Sequence, residues 1–122
     1  MEERDPVTEK IIGCCYKVHR ELGPGFSEKI YQNALLMVLK DELLEFETEK
    51  QYQVMFSGQK VGMLRLDLVI GGRVVVELKA VSGNIPEVFK YQVLSYLKAS
   101  GLKTGLLINF GNKSCQVKRF SF

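Results

Sequence analysis

Glu77 and Lys79 stand two residues apart in the run Val74-Val75-Val76-Glu77-Leu78-Lys79-Ala80. A β-branched run of this kind reads as a strand buried on both faces, and side chains two apart on a strand leave the same face about 6.6 Å from each other. The pair therefore shares one site. A carboxylate there can hold a hard cation, while a neighbouring ammonium can orient or activate a water and stabilise developing negative charge. One carboxylate is a poor magnesium site. A second acid is needed, and Asp67, on the preceding strand, is the candidate.

Asp67 reaches Glu77 only in one register. A two-residue Gly71-Gly72 turn would set Ile70 opposite Arg73 and Leu66 opposite Glu77, turning Asp67 to the wrong face. A three-residue Gly71-Gly72-Arg73 loop, with glycine in the left-handed conformation, sets Ile70 opposite Val74 and Asp67 directly opposite Glu77, their Cβ atoms roughly 5 Å apart. A bulge elsewhere does the same. The D-x₉-E-x-K spacing is loose, and solvated strand charges satisfy it as well as a catalytic centre does.

The elements that must position these residues follow from periodicity. Val7, Ile11, Cys14/Cys15, Val18 and Leu22 make a helical stripe after Asp5-Pro6, a cap and a first-turn proline, and Gly23-Pro24-Gly25 stops it. Phe26 can staple to Tyr31 across a Ser27 cap, and Ile30, Tyr31, Ala34, Leu35, Val38 and Leu39 continue a second helix towards Leu44. Tyr52, Val54 and Phe56, then Leu64, Leu66, Leu68 and Ile70, alternate as two strands of a meander before the strand of Glu77. Pro86 opens a third helix closed by Gly101; Thr104 to Phe110 is a buried strand and Cys115 to Phe120 an edge strand. The order is α-α-β-β-β-α-β-β, a sheet with helices packed on it. On the third helix Gln92 and Tyr96 lie at i and i+4, beside the Phe89/Val93/Leu97 stripe. This puts an amide where periodicity asks for an apolar side chain. Tyr96 also reads as a core aromatic with a bonded hydroxyl. Glu28, in the first turn of the second helix, either favours the positive end of the helix dipole or faces a metal.

Composition narrows the rest. The chain has 122 residues, 46% of them hydrophobic and 25% charged, which fits one domain spanning 1–122 with a single core. Nothing approaches the roughly 18 consecutive apolar residues of a membrane span. Met1-Glu2-Glu3-Arg4-Asp5 is charged and does not read as a secretory signal, so a cytoplasmic location is expected. Cys14, Cys15 and Cys115 make an odd count and read as reduced core thiols, and His19, without a partner motif, reads as a helix-surface or capping residue. A net charge of +3 permits a polyanionic partner without identifying one.

Gly25-Phe26-Ser27-Glu28-Lys29-Ile30-Tyr31 resembles the motif that names the GxxExxY proteins, and Val18-His19-Arg20-Glu21-Leu22-Gly23-Pro24-Gly25 is similar to their usual lead-in. The similarity continues through Asp67, Glu77-Leu78-Lys79-Ala80, Gln92 and Gly105-Leu106-Leu107-Ile108-Asn109-Phe110-Gly111, and covers most of the chain. That family is placed in the PD-(D/E)XK nuclease superfamily. The resemblance implies an α/β (α+β) fold with a restriction-endonuclease-like αβββαβ core from Ser27 to Phe110, a central mixed sheet flanked by helices, and helix one as an N-terminal addition.

It further implies that Asp67 and Glu77 bind Mg²⁺ or Mn²⁺ with the backbone carbonyl of Leu78, that Lys79 is the catalytic lysine, and that Glu28 can complete the metal site. Gln92 with Tyr96 looks like the superfamily's Q-x-x-x-Y motif, which supports the site or contacts nucleic acid. Leu66 stands where the superfamily's name has proline. The implied activity is metal-dependent hydrolysis of phosphodiester bonds in DNA or RNA. The alternative is a non-catalytic module that keeps the fold to bind nucleic acid or to serve in a homodimer or protein complex. The short chain, with little room for a recognition subdomain, motivates it, and its sign would be an exposed apolar patch near Met37, Met55 or Met63.

Overall fold

The structure is a computed structural model and describes residues 5–122. Residues 1–4, on which the reading of a charged, non-secretory N-terminus partly rests, lie outside the described residues. Asp5 caps α1 (Pro6–Leu22): its carboxylate accepts from the Val7 N–H at 3.0 Å and pairs with Arg73. Gly23, at φ 69°, ends the helix.

α2 (Glu28–Asp41) starts after Ser27, whose hydroxyl makes no capping bond. Tyr31 fixes the turn instead. Its hydroxyl donates to the Gly23 carbonyl at 2.5 Å and accepts from the Phe26 N–H at 3.2 Å, and Phe26 packs edge-on against its ring. Below, the Tyr31 ring stacks on Phe110 at 4.5 Å. The glutamate-to-tyrosine half of the sequence motif thus includes an aromatic whose work is structural. His19 is buried, contrary to the surface or capping position expected: it lies near-parallel to Phe110, and its Nε2–H donates to the Asn112 carbonyl at 2.8 Å. One pairing explains the burial, because it satisfies the ring nitrogen in an otherwise apolar layer.

The chain then forms β1 (Phe46–Phe56), β2 (Gln59–Ile70), β3 (Val74–Lys79), α3 (Glu87–Ser100), β4 (Thr104–Asn109) and β5 (Gln116–Ser121), the expected order. The five strands lie in the order β1-β2-β3-β4-β5. β3 and β4 are parallel, joined by the α3 crossover, and the remaining pairs are antiparallel. α1 and α2 cover one face over Val74, Val76, Leu78, Leu106 and Ile108. α3 covers the other over Leu66, Val69, Val75 and Leu107. Alternation along β3 therefore turns Glu77 and Lys79 towards α3. α3 sits close to the sheet because Gly105 lacks a side chain: a Cβ there would lie 2.6 Å from Val93 Cγ1.

Cys14 and Cys15 are buried, Cys115 is half-buried, and all three are free thiols. Met37, Met55 and Met63 are exposed, and the turn end of the β1–β2 hairpin also exposes Phe56 and Val61. Among the described residues no helix is long and apolar enough to cross a membrane.

Candidate active site

Gly71 and Gly72 are both left-handed, at φ 63° and 68°, and the three-residue connection sets Ile70 opposite Val74, the register that favours Asp67. The ladder then stops. Only Val69↔Val75 follows, so Asp67 and Glu77 are not the directly opposed pair expected from a regular register. β2 leaves β3 at this point, while β3 stays paired with β4 as far as Lys79↔Asn109, and the sheet opens into a fork.

The cause lies in the β1–β2 ribbon. Leu66, Leu68 and Ile70 would share a face in a regular strand, yet Leu68 and Ile70 pack under α1 and α2 while Leu66 packs under α3. β1 switches likewise, from Phe46 on the first face to Tyr52 on the second. The changeover falls at Glu49 and Asp67, where the otherwise continuous pairing from Phe46 to Val54 is interrupted. Glu49 there takes φ 55°, a left-handed conformation that costs an L-residue roughly 1–3 kcal/mol. Asp67 is exposed at this twist.

Around the fork the charges converge on Glu77. The residue is 5% exposed and its Oε1 lies 3.4 Å from Lys79 Nζ. That ammonium also sits 4.2 Å from the centroid of the Phe89 ring, so a carboxylate and an aromatic face hold it together. Burial pushes the Glu77 carboxyl above the usual carboxylate range; Lys79 opposes the shift, and the charges of Asp67 and Glu28 reinforce it. Burial likewise raises the Tyr96 phenol, and the negative charges of Glu77 and Asp67 add to the effect. One turn before Tyr96, the Gln92 Oε1 is buried and has no hydrogen-bond partner among the described residues. The Lys79 carbonyl accepts from the Phe110 N–H at 2.9 Å. Backbone alternation then directs the Leu78 carbonyl to the opposite edge of β3, the edge that β2 has left.

This donor set fits a hard divalent cation. Asp67, Glu77 and the Leu78 carbonyl offer only oxygen, and like charges crowding a buried carboxylate favour a cation between them. Among the described residues no group of three or more His, Cys, Asp or Glu is placed to hold an ion by itself. Mg²⁺ characteristically takes one or two protein carboxylates and completes its shell with water and substrate oxygens, so a closed cage is unnecessary.

The raised Glu77 carboxyl has a consequence for stability. With a folded-state value above its ordinary 4.5, the group's contribution to stability is complete below that pH and is lost as pH rises through the folded value. Glu77→Gln removes this loss. In EDTA, urea denaturation should find the variant more stable than the parent at neutral pH, with the difference shrinking below pH 4.5. An equal gap at both pH values would contradict this account of the carboxyl.

Three residues outside the expected site hold its frame. The Asn109 side chain is buried and mimics a paired strand, accepting from the Val81 N–H and donating to the Val81 carbonyl, each at 2.9 Å. Asn112 does the same with Gly83 at 2.8 and 2.9 Å, and the Gln116 Oε1 accepts from both asparagines. The segment leaving Lys79 is thereby latched to the end of β4. Gly111 passes so close that a Cβ would lie within 2.5 Å of the Val81 backbone. An amide inside Leu106-Leu107-Ile108-Asn109-Phe110 was the available signal for Asn109, since a buried polar group demands partners. Nothing local marks Phe89 as the seat of Lys79, because helical periodicity alone already accounts for it.

A three-layer domain with a mixed sheet forked beside a buried Glu-Lys pair is the architecture of a PD-(D/E)XK nuclease-like fold. The model of the PD-(D/E)XK nuclease superfamily matches residues 5–120, and the chain belongs to that superfamily. A solved structure described as "Crystal structure of SSO0001" is similar in fold, with a TM-score of 0.62 and 21% sequence identity, covering 76% of this chain. The chain spans 48% of that protein. No curated protein matches the sequence.

Proposed function

We propose that the chain is a metal-dependent nuclease of the GxxExxY type that hydrolyses phosphodiester bonds of DNA or RNA in the cytoplasm. The observation that carries this is the buried Glu77–Lys79 pair, 3.4 Å apart, at a strand fork where the charge of Asp67 is felt by both Glu77 and Tyr96. Superfamily membership supports it independently.

In this reading Asp67, Glu77 and the Leu78 carbonyl hold Mg²⁺ or Mn²⁺, with Glu28 near enough to add its charge. A bound ion would supply Lewis-acid stabilisation of the phosphoryl oxygens. The Lys79 ammonium, restrained by Glu77 and Phe89, orients the attacking water by a hydrogen bond and offsets negative charge growing on the phosphate. The water oxygen bonds to phosphorus and gives up a proton to solvent, the bond from phosphorus to the leaving oxygen breaks, and that oxygen takes a proton from solvent. Gln92 presents an unpaired amide oxygen, and with Tyr96 it supports the site or meets the nucleic acid. The exposed apolar end of the β1–β2 hairpin supports a second copy or a protein partner for the same chain.

The test is a cleavage panel of single- and double-stranded DNA and RNA. The purified chain with Mg²⁺ or Mn²⁺ is expected to cut at least one of them, and EDTA to stop it. Salt-sensitive binding with no cutting across the panel would favour the non-catalytic module instead.

A further inference from the structure

Asp67 belongs to a second feature as well. It stands on β2 beyond the point where the ladder to β3 stops, and it walls a groove of about 320 Å³ between α2 and the β1–β2 ribbon, lined also by Lys29, Gln32, Leu36, Thr48, Glu49 and Arg65. The groove exists because the ribbon twists at Glu49, whose left-handed backbone interrupts the pairing there and carries its side chain to the rim. Its lining is almost wholly polar, which neither a core void nor an apolar ligand site requires.

The charges in it are not locked. Lys29 has no carboxylate within ion-pair distance among the described residues. Among the same residues Arg65 pairs with Glu49 alone, at 3.8 Å, with the two side chains 61% and 72% exposed. A pair that loose and that wet contributes little, so a stronger anion displaces the carboxylate readily. Lys29 is supplied by α2 and Arg65 by β2, and Gln32 on α2 and Thr48 on β1 add neutral hydrogen-bonding groups to the lining.

We infer that this groove is a phosphate-binding track that takes the backbone of the nucleic-acid strand next to the bond being cut, with Lys29 and Arg65 as its cationic contacts and Glu49 as the group that phosphate displaces. The inference rests on the nuclease reading of the adjoining centre. It assigns to that centre a substrate contact that reads charge and leaves base identity unread. Lys29 and Arg65 face the carboxylates of Glu49 and Asp67 across the same groove, so its cations become available to phosphate when Glu49 is displaced.

Fluorescence anisotropy in EDTA, where cutting is blocked, tests it with labelled single-stranded DNA, single-stranded RNA and duplex DNA. The Lys29→Ala/Arg65→Ala variant should bind about tenfold more weakly than the parent at about 0.1 M salt, with a salt slope smaller by about 1.4 for a single strand and 1.8 for a duplex. Lys29→Arg/Arg65→Lys should restore both affinity and slope. Glu49→Gln should tighten binding. Parent binding with unchanged affinity and slope in the alanine variant overturns the groove assignment alone. No binding by the parent to any probe in EDTA overturns the groove, and the cleavage panel with Mg²⁺ or Mn²⁺ decides the nuclease reading separately. Which probe binds best distinguishes DNA from RNA as the source of the phosphates.

Discussion

Lys79→Ala is expected to lower the single-turnover rate of phosphodiester cleavage by about 10³-fold while the protein stays folded and still binds nucleic acid. The size follows from position. An ammonium with its side chain 14% exposed, 3.4 Å from Glu77 and 4.2 Å from the Phe89 ring centroid, is already oriented before substrate arrives, so its effect on a developing charge is not diluted by reorganisation. Removing it also leaves the Glu77 carboxylate buried without a counter-charge, which raises the Glu77 carboxyl further. Quenched-flow cleavage, with circular dichroism as the control for folding, measures the effect. A rate within threefold of the parent would remove Lys79 from the reaction.

The second large effect concerns the frame. Gly111→Ala should destabilise the fold by about 3 kcal/mol or more, because the added Cβ meets Val81 backbone and not the flexible end of a side chain. That backbone has nowhere to go. Val81 is bonded twice to the Asn109 amide, and Phe110 is bonded to the Lys79 carbonyl, so relief of the clash breaks the latch that sets the direction of Lys79. Gly13 is the internal control: it lies mid-helix in α1, where an added methyl would meet nothing within 4 Å, and Gly13→Ala should stabilise by up to about 1 kcal/mol. Urea denaturation of both variants decides the matter, and a Gly111 variant as stable as the parent would show that the close approach is not rigid.

Much of this architecture is written locally in the chain. Asp5-Pro6 caps, Gly101 ends a helix, and the Val74–Val76 run is a strand, because caps, left-handed glycines and β-branched runs act over a few residues. The Gly71-Gly72-Arg73 connection also sets its first pair as turn chemistry requires. Register arithmetic then fails beyond Val69, since it assumes a regular ladder and the ribbon twists at Glu49 and Asp67. Glu49 is a residue for which no propensity announces φ 55°, and the twist is imposed by two cores on opposite faces claiming different stretches of the same strands. The partners of His19 and Asn109 are hidden for a related reason: they lie 93 and 28 residues away. Gln92, by contrast, was conspicuous as an amide beside an apolar stripe, and its oxygen does end buried without a partner.

In the proposed nuclease, Asp67 and Glu77 share one cation at the fork. Anomalous diffraction from crystals soaked in Mn²⁺ tests it most directly. A manganese peak is expected in contact with the carboxylates of Asp67 and Glu77 and the carbonyl of Leu78, and it should be lost in Glu77→Gln. Manganese bound elsewhere, or no peak at the fork while the two carboxylates point apart, would contradict it.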